Sequence, residues 1–124
     1  MKITRFEDID AWKAARELQK IVYEATKGDA FKEDYDLRRK MRRAAGSSMS
    51  NIAEGFDSGS DAEFRRFLRI ARRSATEVQS HLYVAIDQNY IGQSAFDRIY
   101  EKALDVKRLI GGFLRYLGEK RKRA

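Results

Sequence analysis

The chain has 124 residues, 43% of them apolar, enough for one globular core and too few for two. Lys and Arg number 26 against 19 Asp and Glu, so the chain carries +7 and favours a polyanionic partner. The absence of Cys excludes disulfides, thiolate catalysis and Cys-ligated zinc, and the longest apolar run, Leu82 to Ile86, is far below the ~20 residues that span a bilayer. Lys2, Arg5, Glu7 and Asp8 break any signal-peptide core, so a soluble cytoplasmic protein without a membrane partner is expected.

The chain has no proline, which suits long helices better than a turn-rich β domain. In the first segment Ala11, Ala15, Leu18, Val22 and Ala25 recur at alternating spacings of four and three, with Asp8 or Asp10 as N-cap and Gly28 as the stop. The spacing predicts a helix over about 8–27. A second, about 35–55, runs through Leu37, Met41, Ala44, Ser48 and Ile52 to Gly55, with Ser48 the polar intruder on its apolar stripe. The third, about 60–89, opens on the capping-box pattern Ser60-Asp61-Ala62-Glu63 and continues through Phe64, Leu68, Ala71, Ala75, Val78, Leu82 and Ala85. The fourth, about 94–117, carries Phe96, Ile99, Ala103, Val106, Ile110, Phe113 and Leu117, is expected to end near Gly118, and leaves a frayed basic tail over 118–124. Four amphipathic helices on short connections form one all-α domain over 1–124, an antiparallel up-down-up-down four-helix bundle.

The charge is uneven. Residues 1–36 hold 7 basic and 9 acidic side chains, 37–73 hold 10 and 4, and 74–124 hold 9 and 6. At about 100° per residue, Arg65, Arg69, Arg72 and Arg73 form a stripe away from the apolar face of the third helix, and Arg38, Arg39, Arg42 and Arg43 do the same on the second. An antiparallel hairpin about Asp57-Ser58 would merge the two into one band, the candidate nucleic-acid surface. Arginine suits that task because its planar fork engages a phosphate with two hydrogen bonds and stacks on unpaired bases. The competing reading is a solvated face whose arginines pair with the acidic first helix through Glu7, Asp8, Asp10, Glu17 and Glu24.

No catalytic constellation stands out. His81 has no second His with which to share a metal, and its flank neighbours Ser74 and Glu77 suit a hydrogen-bonded structural His. No metal, cofactor or enzymatic activity is expected. In Ser47-Ser48-Met49-Ser50-Asn51 the small polar residues point to a close helix contact, with Asn51, Glu54 and Gly55 fixing the hairpin turn. Gly111-Gly112 inside the fourth helix costs up to ~1 kcal/mol per residue against Ala, which a close approach by another helix or subunit would compensate. Surplus apolar residues predict a self-association interface: Trp12 and Tyr23 on one flank of the first helix, Phe67 and Ile70 beyond the core stripe of the third.

Several blocks carry a resemblance to a known family. Phe6-Glu7-Asp8-Ile9 with Trp12, Ala15-Arg16-Glu17-Leu18, Arg42-Arg43-Ala44-Ala45, Ser50-Asn51-Ile52-Ala53-Glu54-Gly55-Phe56, and Phe67-Leu68 before Ile70-Ala71, Ser74 and Glu77 are similar to the bacterial four-helix-bundle proteins encoded in intervening sequences of large-subunit ribosomal RNA genes. The resemblance spans nearly the whole chain, with Gly111, Leu114 and Leu117 matching the family's last helix. Met49 replaces a common proline and Lys40 a common glutamine, so the second helix is expected to be less kinked. The resemblance implies an up-down bundle assembled into a ring, typically a homo-pentamer, with a distant relative that assists a reverse transcriptase. The family's function is largely unassigned, so two readings stand. The first is a non-enzymatic ring that binds structured RNA through the arginine band; the second is a protein-interaction adaptor for a polymerase-type partner.

Overall fold

A computed structural model describes residues 2–123, with side chains through residue 118. Four helices account for most of the chain: α1 (Asp10–Ala25), α2 (Tyr35–Phe56), α3 (Asp61–Asp87) and α4 (Gln93–Arg123). Each packs against its neighbours in sequence, and α4 closes the square against α1, leaving α1 diagonal to α3 and α2 to α4. That is an up-down-up-down bundle. Among the described residues there is no strand, and no helix is long and apolar enough to cross a membrane.

Most of the periodic residues meet as expected, while Ala25, Phe96 and Phe113 are half-buried at the edge of the core. Ala15, Leu18, Val22, Met41, Ile52, Leu68, Ala71, Ala75, Val78, Leu82, Ala103, Val106 and Ile110 are all fully buried in one core. Alanines on the inner faces of α2 and α3 let these helices approach closely, and Gly55 marks the tightest point. A Cβ added at Gly55 would lie 2.6 Å from Phe67 Cβ. Polar side chains hold the same seam: Ser48 Oγ donates to the Ala71 carbonyl at 3.1 Å, and the Ser47 and Ser74 hydroxyls lie 2.9 Å apart. A buried hydroxyl with a partner avoids the cost of an unmade hydrogen bond, which explains the intruder at position 48.

The helix ends differ from expectation in four places. α1 starts after Ile9, without a side-chain cap. Asp8 instead closes a preceding 3-10 turn (Phe6–Asp8), its carboxylate accepting from the Thr4 and Arg5 amides at 3.1 and 3.2 Å. At α3 only half of the expected capping box forms: Ser60 Oγ accepts from the Glu63 amide at 3.1 Å, while the Glu63 carboxylate turns to Arg66 at 3.2 Å. The hairpin turn is held by Gly59 in the left-handed region, φ 86°, and by Ser58 Oγ donating to the Gly55 carbonyl at 2.6 Å. Asn51 points back to the Ser47 carbonyl at 2.8 Å instead, and Glu54 is exposed, so of the three residues assigned to the turn only Gly55 serves it. Finally, α4 does not end at Gly118 but continues to Arg123, taking the basic tail into its last turn and a half. Nothing but a glycine's higher helical cost marked that stop, and Gly118 is not in the left-handed conformation of a C-cap.

At the opposite end the α1–α2 connection packs on the α3–α4 loop. Phe31 is buried against Tyr90 with ring centroids 5.1 Å apart, and Tyr90 donates to Asp34 at 3.2 Å. Burial, then the neighbouring Asp34 carboxylate, push the Tyr90 phenol above its ordinary pKa.

Candidate nucleic-acid interface

The arginines of α2 do not form one band with those of α3. On α2 the residues that meet α3 are Ser47 and Ser48, whereas Arg42 reaches the other way: its Nε donates to Thr26 Oγ1 at 2.9 Å, and its guanidinium lies 4.4 Å from the Tyr23 ring centroid on α1. On α3, Ser74 meets α2, while Gln79 meets α4, donating to the Tyr100 carbonyl at 3.5 Å and accepting from Lys107 Nζ at 3.0 Å. Arg72 and Arg65 sit seven and fourteen residues before Gln79, hence on that same α4 flank. Arg42 therefore turns toward α1, whereas Arg65 and Arg72 turn toward α4, on opposite sides of the α2–α3 pair. The Ser47–Ser74 and Ser48–Ala71 contacts also place Arg43 about one helical turn away from the level of Arg72 and Arg73, not beside them as a hairpin about Asp57-Ser58 would have it.

Arg65 is further removed from any surface role. It is half-buried, and its Nη1 is enclosed without a hydrogen-bond partner among the described residues. Arg69 and Arg73 are exposed, and Arg72 is half-buried.

What α2 builds with α1 is a concave groove of about 450 Å³, lined by Gln19, Tyr23, Tyr35, Arg38, Arg39, Arg42, Arg43 and Gly46. Four cations and no carboxylate line it. Successive turns of α2 supply the arginines in pairs, and two tyrosines brace them: Arg38 lies 5.1 Å from the Tyr35 ring centroid, as Arg42 does over Tyr23 at 4.4 Å. Such cation–π contacts hold a guanidinium in a fixed plane without neutralising its charge. Arg39 also pairs with Asp36 at 3.2 Å, one turn back on the same helix. Lys40 first, and then Arg39, hold the Asp36 carboxyl below the usual carboxylate range.

Among the described residues no ion pair joins the acids of α1 to the arginines of α2; Glu24 instead pairs with Arg98 of α4 at 3.7 Å. His81 bonds Glu77 at 3.2 Å, one turn away, as expected of a structural His.

The residues assigned to a self-association interface separate as well. Trp12 is only 9% exposed and packs edge-on against Phe6 at 5.2 Å, because the N-terminal 3-10 turn folds over it, so it is a core residue and not a surface aromatic. Tyr23 is a wall of the arginine groove. Phe67 and Ile70 are half-buried along the α2–α3 seam, with Arg66 4.8 Å from the Phe67 ring centroid. Sequence reasoning missed other exposed apolar side chains: Tyr83 and Val84 on α3, and Leu109 and Tyr116 on α4. Tyr83 stands edge-on to Phe96 at 5.0 Å, and Phe96 stacks with Tyr100 at 5.6 Å. A second, larger groove of about 750 Å³ lies at the hairpin end of the bundle, where Phe56, Phe64, Leu109, Gly112, Phe113 and Tyr116 are among its walls. A Cβ added at Gly111 or Gly112 would approach only the Arg115 side chain, at 3.7 and 3.8 Å. The close approach that would compensate these glycines is therefore not made by another helix of the bundle.

Residues 7–112 match the model of the family described as 23S rRNA-intervening sequence protein. A solved structure from Bacteroides thetaiotaomicron, described as a protein with unknown function from the S23 ribosomal protein family, superposes with a TM-score of 0.76. The two share 21% identity over 84% of this chain and 97% of that one, a likeness of fold. No curated protein matches the chain. With the family's pattern covering α1 to α3 and α4 as far as Gly112, the chain belongs to the 23S rRNA-intervening sequence protein family.

Proposed function

We propose that this protein is a non-catalytic RNA-binding bundle that self-associates into a ring and grips structured RNA through the α1–α2 arginine groove. The observation that carries the reading is the lining of that groove, with Arg38, Arg39, Arg42 and Arg43 gathered in one concavity and no carboxylate among them. Arg38 and Arg42, each held against a tyrosine ring, with Arg39 and Arg43 beside them, suit successive phosphates, and the +7 charge of each protomer adds a long-range attraction. Arg69 and Arg73 contribute from a separate surface, as peripheral electrostatic help. Self-association draws support from Gly111 and Gly112, which no other helix approaches among the described residues, beside the exposed Leu109 and Tyr116. A ring repeats the groove around an axis and converts weak contacts into avidity.

A second reading, a protein-interaction adaptor, is favoured by the larger groove at the hairpin end, whose aromatic walls suit a protein helix better than a phosphate. Fluorescence anisotropy with a labelled stem-loop RNA separates the two. The double variant Arg39→Gln/Arg43→Gln should weaken binding by about tenfold or more, since charge-assisted hydrogen bonds are worth about 1.5–3 kcal/mol each, while Arg69→Gln/Arg73→Gln should change it only a few-fold. The reverse ranking would overturn the assignment to the groove. Absence of RNA binding by the wild type at low salt would put the adaptor first.

A further inference from the structure

The groove has more in it than charge. Tyr35 remains 60% exposed and Tyr23 40% exposed although a guanidinium covers part of each ring, so both still present aromatic surface to an incoming group. Gln19 lies between them and the far end of the groove. Its amide makes no hydrogen bond among the described residues, and a Cβ at Gly46 would press on its Nε2 at 3.1 Å, so this helical glycine makes room for the Gln19 side chain. An uncommitted amide offers both a donor and an acceptor, the complement of a base edge. From Tyr35 to Gly46 the α2 wall rises for about 16 Å, room for one or two nucleotides.

We propose that the α1–α2 groove binds an unpaired nucleotide of RNA, its phosphate between Arg39 and Arg43, its base against the tyrosine–arginine stacks, and its edge toward Gln19. The inference rests on the RNA-binding reading of the groove and adds to it the class of RNA recognised. A paired helix presents phosphates on a convex cylinder with its bases stacked inside, so it can meet the rim of the groove but offers no base to the tyrosines. Loops, bulges and ends can. Base–aromatic stacking of this kind tolerates any sequence, since every base has a π face.

The test uses the wild-type protein at about 0.15 M salt with three labelled RNAs of equal length: a single strand, the same strand with abasic residues, and a duplex. The single strand should bind about five- to 150-fold more tightly than the abasic strand, whose phosphates are unchanged, and more tightly than the duplex. Tyr35→Ala should remove most of that advantage and Tyr35→Phe should keep it, and because Tyr35 is exposed neither change disturbs the core. Equal binding of the intact and abasic strands would overturn the inference while leaving a phosphate-binding groove in place, as would duplex binding as tight as the single strand. Failure of all three RNAs to bind, at low salt as well, would instead remove the RNA reading on which the inference rests.

Discussion

Gly55→Ala isolates the packing of the α2–α3 seam. Within a helix, Gly to Ala ordinarily adds about 0.8–1.0 kcal/mol. At Gly55 the new methyl would lie 2.6 Å from Phe67 Cβ and 3.0 Å from Phe64 Cδ1, about 1 Å inside the contact distance for two carbons. Phe67 Cβ is fixed to the α3 backbone, so the helices must part, and parting them loosens the Ser48–Ala71 and Ser47–Ser74 hydrogen bonds further along the seam. Overpacking of this kind costs about 2–3 kcal/mol at its upper end, leaving a net loss of about 1–2 kcal/mol and a fall in Tm of roughly 3–10 °C. Gly46→Ala in the same helix is the control, because its nearest neighbour is only the flexible tip of Gln19 at 3.1 Å; it should gain up to about 1 kcal/mol. Urea titration and calorimetry on both variants read the contrast. A Gly55→Ala protein stabilised as much as Gly46→Ala would refute the close contact between α2 and α3.

Leu68 is fully buried at the centre of the core, so Leu68→Asp strands a carboxylate there and should abolish the cooperative far-UV melt; a folded, soluble variant with a normal Tm would contradict the bundle. The Asp8 carboxyl is held below its ordinary pKa chiefly by the Thr4 amide, so its contribution to the N-terminal turn is present above the ordinary value, about pH 4, and is lost as pH falls through the depressed one. Phe6 would then leave Trp12, the only tryptophan, whose emission should shift to the red in acid before helicity falls; emission unchanged until global unfolding would dismiss that role for Asp8. Light scattering should give a multiple of 14.4 kDa for the wild type and a lower mass for Gly112→Leu, whose side chain would enter the open groove. A wild-type monomer at micromolar concentration would refute self-association.

Helix number, order and inner faces were legible because the apolar spacing of each helix is regular: Phe64, Leu68, Ala71, Ala75 and Val78 repeat at three and four, and all five are buried. Long-range consequences were less legible. Trp12 reads as surplus on its helix because the residue that covers it, Phe6, comes from a separate 3-10 turn. Arginine stripes can be phased on each helix alone, yet which flank meets which neighbour depends on a helix's rotation in the bundle, here set by Ser47, Ser48 and Gly55 facing α3. Spacing alone also left Tyr35 unnoticed, since it lies outside the apolar stripe. Its four-residue distance from Arg39 and three-residue distance from Arg38 is the signal that a search for helical Tyr–Arg pairs would have found.

The salt dependence of RNA binding tests the central claim most directly. For wild-type protein and a single-stranded RNA, log K should fall linearly with log salt, at roughly 0.7 per phosphate engaged, and Arg39→Gln/Arg43→Gln should make the slope shallower by about 1.4. Arg69→Gln/Arg73→Gln, exposed on α3 and outside the groove lining, should leave the slope nearer the wild-type value. A slope unchanged by the groove variant, with affinity also unchanged, would show that the α1–α2 arginines do not hold phosphates.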